Sequence, residues 1–140
     1  GRSGGWGIDG DRICVWAFSA GGVYMSRFLI GTPPCVKCLV SFYGLLDVRG
    51  FVKDGTLGGY YPESYLNGET APPMLIVKAG KDGRRINEPM ERFLETAEAR
   101  GIAVEYREHP GGKHGFDAVN DDETTQRLIG DAVEFIKKHV

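Results

Sequence analysis

The apolar residues of this chain gather into four short runs that are separated by turn-forming residues. The runs cover residues 13–18, 36–43, 74–79 and 102–108, and the last one alternates between apolar and polar positions. Runs of this length, rich in β-branched and aromatic residues and bounded by glycine or proline, are typical of strands. The pattern therefore predicts four strands.

Helical spacing marks the segments between and after these runs. Residues 23–30 are predicted to form a helix that ends before Pro33, because proline cannot continue it. A second helix is predicted from an N-cap at Asn87 to a C-terminal stop at Gly101. A third is predicted over about residues 122–139, whose apolar positions recur at helical intervals.

Strands that alternate with helices favour a parallel sheet with crossover helices. We therefore expect an α/β fold, a mostly parallel sheet of about four strands with flanking helices, in one domain over residues 1–140. Residues 45–73 are the exception, because their periodicity is lost among glycines and tyrosines. This segment is predicted to be irregular, and its tyrosines either line an apolar pocket or pack on the surface.

Composition narrows the class of protein. Of the 140 residues, 41% are hydrophobic and 26% charged, and the formal net charge is −2. Such a charge offers no basis for binding nucleic acid or an anionic membrane, and no apolar run reaches the ~18 residues that span a bilayer. Three cysteines are too few for a disulfide scaffold, so we expect a reducing, cytoplasmic location.

Ser19 lies where the first predicted strand passes into the first helix. It is the centre of Ala17-Phe18-Ser19-Ala20-Gly21, and Gly22 follows. A strand, a tight turn with serine at its tip and a helix make up a nucleophile elbow. The turn brings the second residue before the serine close to the second residue after it, so both must be small. Ala17 and Gly21 meet this need.

Two further reactive residues follow predicted strands: Asp82 after the third and His114 after the fourth. In a parallel sheet such positions meet at the carboxyl edge. A serine hydroxyl becomes a useful nucleophile when an imidazole takes its proton, and the imidazole needs a carboxylate to orient it. The order Ser19, Asp82, His114 thus predicts a catalytic triad.

The chain resembles the C-terminal part of an α/β-hydrolase, within the dienelactone hydrolase and carboxylesterase–lipase group. The resemblance covers nearly the whole chain, and its motifs are AFSAGG at 17–22, SFYG at 41–44, PPMLIV running into AGKD at 72–82, and HPGGKHGF at 109–116. It implies that Ser19 is the nucleophile, His114 the general base and acid, and Asp82 the orienting carboxylate.

The resemblance also implies further site residues. The N–H of Ala20 would be one oxyanion-hole donor, and Phe18 and Tyr43 are the expected substrate contacts. No metal and no cofactor are expected. Fewer than twenty residues precede Ser19, whereas members of the group carry several strands and a second oxyanion donor there. We therefore expect either a homo-oligomer or association with a missing N-terminal part through the exposed edge of the first strand.

Other residues compete for these roles. Asp47 follows the second strand, where some α/β-hydrolases place their acid, and Asp54 is a further candidate. Asp117 is predicted to cap a loop, and His109 and His139 are predicted to have ordinary structural roles. Cys35 and Cys38 have the spacing of a redox pair but lack the strand-then-helix context of that motif.

The sequence supports three functional hypotheses. The first is a serine esterase or lactone hydrolase that cleaves small acyl esters through an acyl-enzyme. The second is the catalytic portion of a serine peptidase of the prolyl-oligopeptidase type, which has the same order of triad residues. The third is an inactive fragment or interaction module that lacks the oxyanion loop.

Overall fold

The chain forms a parallel sheet whose strands follow one another in sequence order. A computed structural model describes residues 7–51 and 60–140, and within them the strands pair as β1-β2-β3-β4, all parallel. The predicted α/β fold class is thus confirmed. The strands are β1 (Ile13–Phe18), β2 (Val36–Phe42), β3 (Met74–Ala79) and β4 (Val104–His109).

Helices cover both faces of this sheet. Those described are α1 (Met25–Ile30), α2 (Arg84–Ala99), α3 (Phe116–Val119) and α4 (Glu123–His139), together with short 3₁₀ helices over Ser19–Tyr24, Val48–Gly50 and Pro62–Tyr65. None of the described helices is long and apolar enough to cross a bilayer.

The core lies in two layers, because strand side chains alternate between the faces of a sheet. On one face, Leu39 and Ile76 pack with residues of α1 and α2 such as Met25 and Phe93. On the other face, side chains of β2 and β3 pack with residues of α3 and α4. The sheet is therefore a buried middle layer whose carboxyl edge is left for the loops.

Two helix predictions need correction. The predicted helix over residues 23–30 begins as the 3₁₀ helix at Ser19 and becomes α-helical only at Met25. The prediction that Asn87 caps α2 is wrong, because α2 begins at Arg84 and Asn87 is buried inside it. Its side-chain amide donates to the carbonyl of Ala79 at 3.0 Å, so it serves the end of β3.

Other boundaries agree more closely. Gly101 ends α2 with a φ of +67°, which glycine adopts without strain. The side chain of Asp122 caps α4 by accepting from the amide of Thr125 at 2.8 Å. Helix α3 was not predicted, because four residues are too few for a periodic pattern.

Strand β1 forms one edge of the described sheet. Ile13 and Phe18 at its two ends are 41% and 38% exposed. The expected association through this edge stays a prediction, which the mass measured by sedimentation would test.

Candidate active site

The elbow at the end of β1 holds Ser19 in a strained conformation. Its φ is +51°, in the left-handed region that side chains other than glycine seldom adopt. A Cβ added to Gly21 would lie 3.8 Å from the Cβ of Ala17, so the two flanking positions do come close together. The turn thus directs the Ser19 hydroxyl away from the strand.

Gly22 anchors the turn against the chain that leaves β2. A Cβ on Gly22 would lie 2.8 Å from the backbone nitrogen of Leu45, a contact that leaves no room for a side chain. The amide of Leu45 in turn donates to the carbonyl of Ser19 at 2.7 Å. Ala20 lies in the first turn of the 3₁₀ helix, where backbone N–H groups have no partner within the helix.

Ser19, His114 and Asp82 form one hydrogen-bonded chain. The Oγ of Ser19 lies 2.6 Å from Nε2 of His114, and Nδ1 of His114 lies 2.5 Å from Oδ2 of Asp82. Because an ionised carboxylate can only accept, Nδ1 carries the imidazole proton. Nε2 then has a free lone pair, which accepts the hydrogen bond of the serine hydroxyl.

Asp82 is held in place from two sides. Its Oδ1 accepts from the amide of Gly83 at 2.7 Å, and its side chain is only 8% exposed. The amide of the preceding Lys81 donates to the carbonyl of Gly112 at 2.9 Å, which ties the loop after β3 to the loop that carries His114. The imidazole of His114 is 41% exposed, so the reactive end of the chain faces solvent.

The two expected substrate contacts differ in exposure. Phe18 stacks on Trp16 with ring centroids 5.3 Å apart and keeps 38% of its surface exposed beside Ser19. Tyr43 is 5% exposed and lies against the imidazole of His114, with ring centroids 4.9 Å apart. Phe18 therefore leaves part of its ring exposed beside Ser19, whereas the ring of Tyr43 is covered by its contact with His114. Their role as substrate contacts stays a prediction.

Asp47, the alternative acid, lies in a different cluster. Its side chain accepts from the Arg49 amide at 2.9 Å and from the guanidinium groups of Arg49 and Arg92 at 2.7 and 3.0 Å. Burial disfavours its charge, but these hydrogen bonds outweigh burial and hold the pKa of Asp47 below its usual range. Asp54 lies outside the described residues.

Asp117 lies in the first turn of α3 and not in a loop, so its predicted role as a loop cap is wrong. Its Oδ1 accepts a hydrogen bond from the hydroxyl of Tyr43. Sequence reasoning missed this contact, because no local pattern relates residues that lie 74 positions apart.

The remaining histidines and cysteines lie apart from this chain of hydrogen bonds. His109 is 4% exposed and bonded to Asp122 and Thr125, and His139 contacts the carbonyl of Phe135 at 2.8 Å. Cys38 pairs in register with Cys14 of β1, and burial raises the pKa of the Cys14 thiol. Within residues 7–51 and 60–140, no cluster of three His, Cys, Asp or Glu side chains could hold a metal ion.

The model of the prolyl oligopeptidase family matches residues 3–140. No curated protein sequence matches the chain.

Three solved structures show the same fold. A carboxylesterase from Lactobacillus plantarum is 13% identical and has a TM-score of 0.76, with 94% of this chain and 60% of the esterase covered. Esterase 2 of Thermogutta terrifontis is 20% identical at a TM-score of 0.74, with 94% and 56% covered. Dipeptidyl peptidase 4 of Porphyromonas gingivalis is 19% identical at 0.74, with 95% and 20% covered.

The chain thus spans 56 to 60% of these two esterases and 20% of the peptidase. These likenesses establish an α/β-hydrolase fold over nearly all of the chain.

Proposed function

The chain belongs to the prolyl oligopeptidase family, and from that premise we propose that it is a serine hydrolase that forms an acyl-enzyme at Ser19. The observation that carries this proposal is the unbroken chain of hydrogen bonds from Ser19 through His114 to Asp82, at 2.6 and 2.5 Å. Hydroxyl, imidazole and carboxylate in this order are the groups that nucleophilic acyl transfer requires.

In the first half of the reaction, Oγ of Ser19 attacks the carbonyl carbon while Nε2 of His114 takes the hydroxyl proton. Asp82 stabilises the imidazolium that results and does not itself take the proton. His114 then gives the proton to the leaving group, whose bond to the carbonyl carbon breaks. In the second half, His114 takes a proton from water while the water oxygen attacks the acyl carbon. The bond between that carbon and Oγ of Ser19 then breaks, and His114 returns the proton to Oγ.

The negative charge on the carbonyl oxygen needs donors that are already in place. The N–H of Ala20 is the donor that we assign to this chain. Members of the α/β-hydrolase group supply a second donor from a loop that precedes the elbow, and losing one such donor typically costs ~10²–10³ in turnover.

We propose esters of small acyl groups as the first substrate class. Phe18 offers an exposed apolar surface beside Ser19, and esterase 2 of Thermogutta terrifontis, which shares the fold, has been obtained with butyrate bound. The match to a peptidase family makes the peptide bond the second candidate. An ester has the better leaving group, so an ester assay tests the shared chemistry and a peptide assay then separates the two classes.

Labelling with a fluorophosphonate tests this function. Esterase 2 of Thermogutta terrifontis is phosphoramylated by tabun, a related phosphorus electrophile. We expect the intact protein carrying this sequence to be labelled at Ser19, and labelling to vanish in Ser19→Ala. The matched control is Ser64→Ala, since Ser64 is an exposed serine outside the site.

A separate, unlabelled sample of the same protein would be assayed with p-nitrophenyl butyrate and with a peptide p-nitroanilide. Turnover of the ester alone favours the first substrate class, and turnover of both favours the peptidase. Absence of labelling in folded protein, checked by circular dichroism, would overturn the proposal and leave the interaction module as the surviving hypothesis.

A further inference from the structure

The turn that follows β2 contacts both Ser19 and the loop that carries His114. Tyr43 lies at its start with a φ of +39°, and Ser19 is the other described non-glycine residue with a positive φ. Such a conformation is strained and persists where the surroundings hold it. The amide of Tyr43 donates to the carbonyl of Val77 at 2.8 Å, which fixes this turn to β3.

The strained backbone places the Tyr43 ring behind the imidazole. The two ring centroids are 4.9 Å apart with planes inclined by 61°, an edge-to-face contact. The ring of Phe116, which is fully buried, lies 5.4 Å from the ring of Tyr43. The His114 side chain is 41% exposed. Tyr43 contacts part of the imidazole surface that is not exposed to solvent.

The hydroxyl of Tyr43 reaches past His114 to the first turn of α3, which follows the His114 loop. It donates to Oδ1 of Asp117, three residues beyond His114. Between them lies Gly115 with a φ of +76°, where the chain turns into α3. Burial raises the pKa of Tyr43 most, and this hydrogen bond raises it further. The hydroxyl therefore stays protonated and remains a donor.

These contacts are separate from those of Asp82. Asp82 contacts His114 through Nδ1, whereas Tyr43 contacts the imidazole ring and, through Asp117, the chain after it. The amide of Leu45, two residues on, holds the carbonyl of Ser19 at 2.7 Å. The turn after β2 thus contacts both Ser19 and His114, the two partners of the proposed proton transfer.

We infer that Tyr43 is a positioning residue, which holds the His114 loop in register with Ser19 through its ring contact with the imidazole and its hydrogen bond to Asp117. The inference rests on the proposed role of His114 as general base. It extends the site from three residues to five.

The first experiment compares Tyr43→Phe with Tyr106→Phe. Tyr106 is a matched control, because its hydroxyl also donates to a carboxylate, Oε2 of Glu108 at 2.8 Å, but on β4 outside the site. We expect the rate of fluorophosphonate labelling to fall about tenfold in Tyr43→Phe, the effect of one charge-assisted hydrogen bond on a barrier. Tyr106→Phe should retain the wild-type rate.

The pH profile separates positioning from stability. Loosening the His114 loop weakens its bond to Asp82, which stabilises the imidazolium, so the acid midpoint of the labelling rate should move to lower pH in Tyr43→Phe. A role confined to packing would lower the melting temperature and leave this midpoint unchanged.

Rescue at Asp117 provides the second test, and its two single variants leave the buried Tyr43 unchanged. Asp117→Asn keeps an acceptor oxygen and should label at close to the wild-type rate, whereas Asp117→Ala should lose about as much as Tyr43→Phe. The double variant Tyr43→Phe/Asp117→Ala should show no further loss, because both changes remove the same contact.

The inference is overturned if Tyr43→Phe labels at the wild-type rate with an unchanged pH midpoint, or if the losses in the double variant multiply. The proposed function would survive either result, since wild-type labelling at Ser19 tests it independently.

Discussion

Two histidines five residues apart in the chain each meet an aspartate and a hydroxyl, yet the two clusters differ in what they can do. His114 lies between Ser19 and Asp82, with one partner on each ring nitrogen. His109 has both of its partners, Asp122 and Thr125, on Nε2, at 3.1 and 3.0 Å.

The placement of partners on the ring decides the chemistry. A carboxylate fixes the imidazole proton on the nitrogen that it contacts. In the His114 cluster this leaves the opposite nitrogen free to take a hydroxyl proton. In the His109 cluster the proton lies on Nε2, the same nitrogen that faces Thr125, so the hydroxyl of Thr125 finds no base there.

The two histidines also differ in how far their side chains are exposed to solvent. The His114 side chain is 41% exposed at the sheet edge, while that of His109 is 5% exposed. The His109 cluster joins β4 to the first turn of α4, since Asp122 also caps that helix. The same three functional groups, hydroxyl, imidazole and carboxylate, thus form the proposed reactive site in one place and a structural joint in the other.

The largest expected effect comes from replacing His114 with glutamine, and His109→Gln is the comparison. His114→Gln should lower the rate of fluorophosphonate labelling by about 10⁴-fold, because no base remains to take the serine proton. His109→Gln should leave that rate unchanged and lower the free energy of unfolding by about 1–3 kcal/mol, the cost of a disturbed buried hydrogen bond. Labelling kinetics and urea unfolding measure the two effects, and the reverse pattern would contradict the comparison.

A smaller effect is expected at Gly112, which links the two clusters. A Cβ there would lie 2.7 Å from Cγ of His109, while the Gly112 carbonyl accepts from Lys81 beside Asp82. Gly112→Ala should therefore lower the free energy of unfolding by about 1–3 kcal/mol and slow labelling about fivefold through a displaced His114 loop.

Gly111→Ala is the matched control for this change. A Cβ at Gly111 would lie 3.9 Å from the nearest atom of His109, an ordinary contact. This variant should match the wild type in thermal unfolding and in labelling rate. Equal destabilisation by both substitutions would show that the close approach to His109 is not the cause.

The smallest effect on labelling is expected at Asp47. Asp47→Asn should retain the wild-type labelling rate, because Asp47 contacts Arg49 and Arg92 and not His114. Its stability should change with pH, however. The folded-state pKa of Asp47 lies below its usual range, so its ionisation stabilises the fold above about pH 4.

That contribution is lost as pH falls through the lowered pKa, because the unfolded chain then binds the proton more readily. Urea unfolding between pH 7 and pH 3 measures it. The wild type should lose stability more steeply than Asp47→Asn below about pH 4, and identical slopes would remove Asp47 from this role.

Much of the fold could be predicted from local pattern. The apolar runs predicted β1 and β3 at their observed bounds, since buried strands between turn-forming residues leave a clear signal. Asn87 misled the prediction, because an asparagine that caps a helix and one that binds a neighbouring strand end look alike in sequence. The start of α2 depends on where β3 leaves the sheet.

The sequence by itself determined the class of chemistry: a serine between small residues after one strand, an aspartate after another and a histidine after a third. Parallel strands bring the residues that follow them to one edge of the sheet. The positions of Ser19, Asp82 and His114, each after a strand, therefore predict that these residues meet. The tertiary structure alone decided which ring nitrogen meets which partner, that Asp82 and not Asp47 contacts His114, and that Tyr43 lies against His114 and donates to Asp117. These outcomes depend on how side chains far apart in the chain are placed relative to one another, and local sequence patterns do not encode that placement.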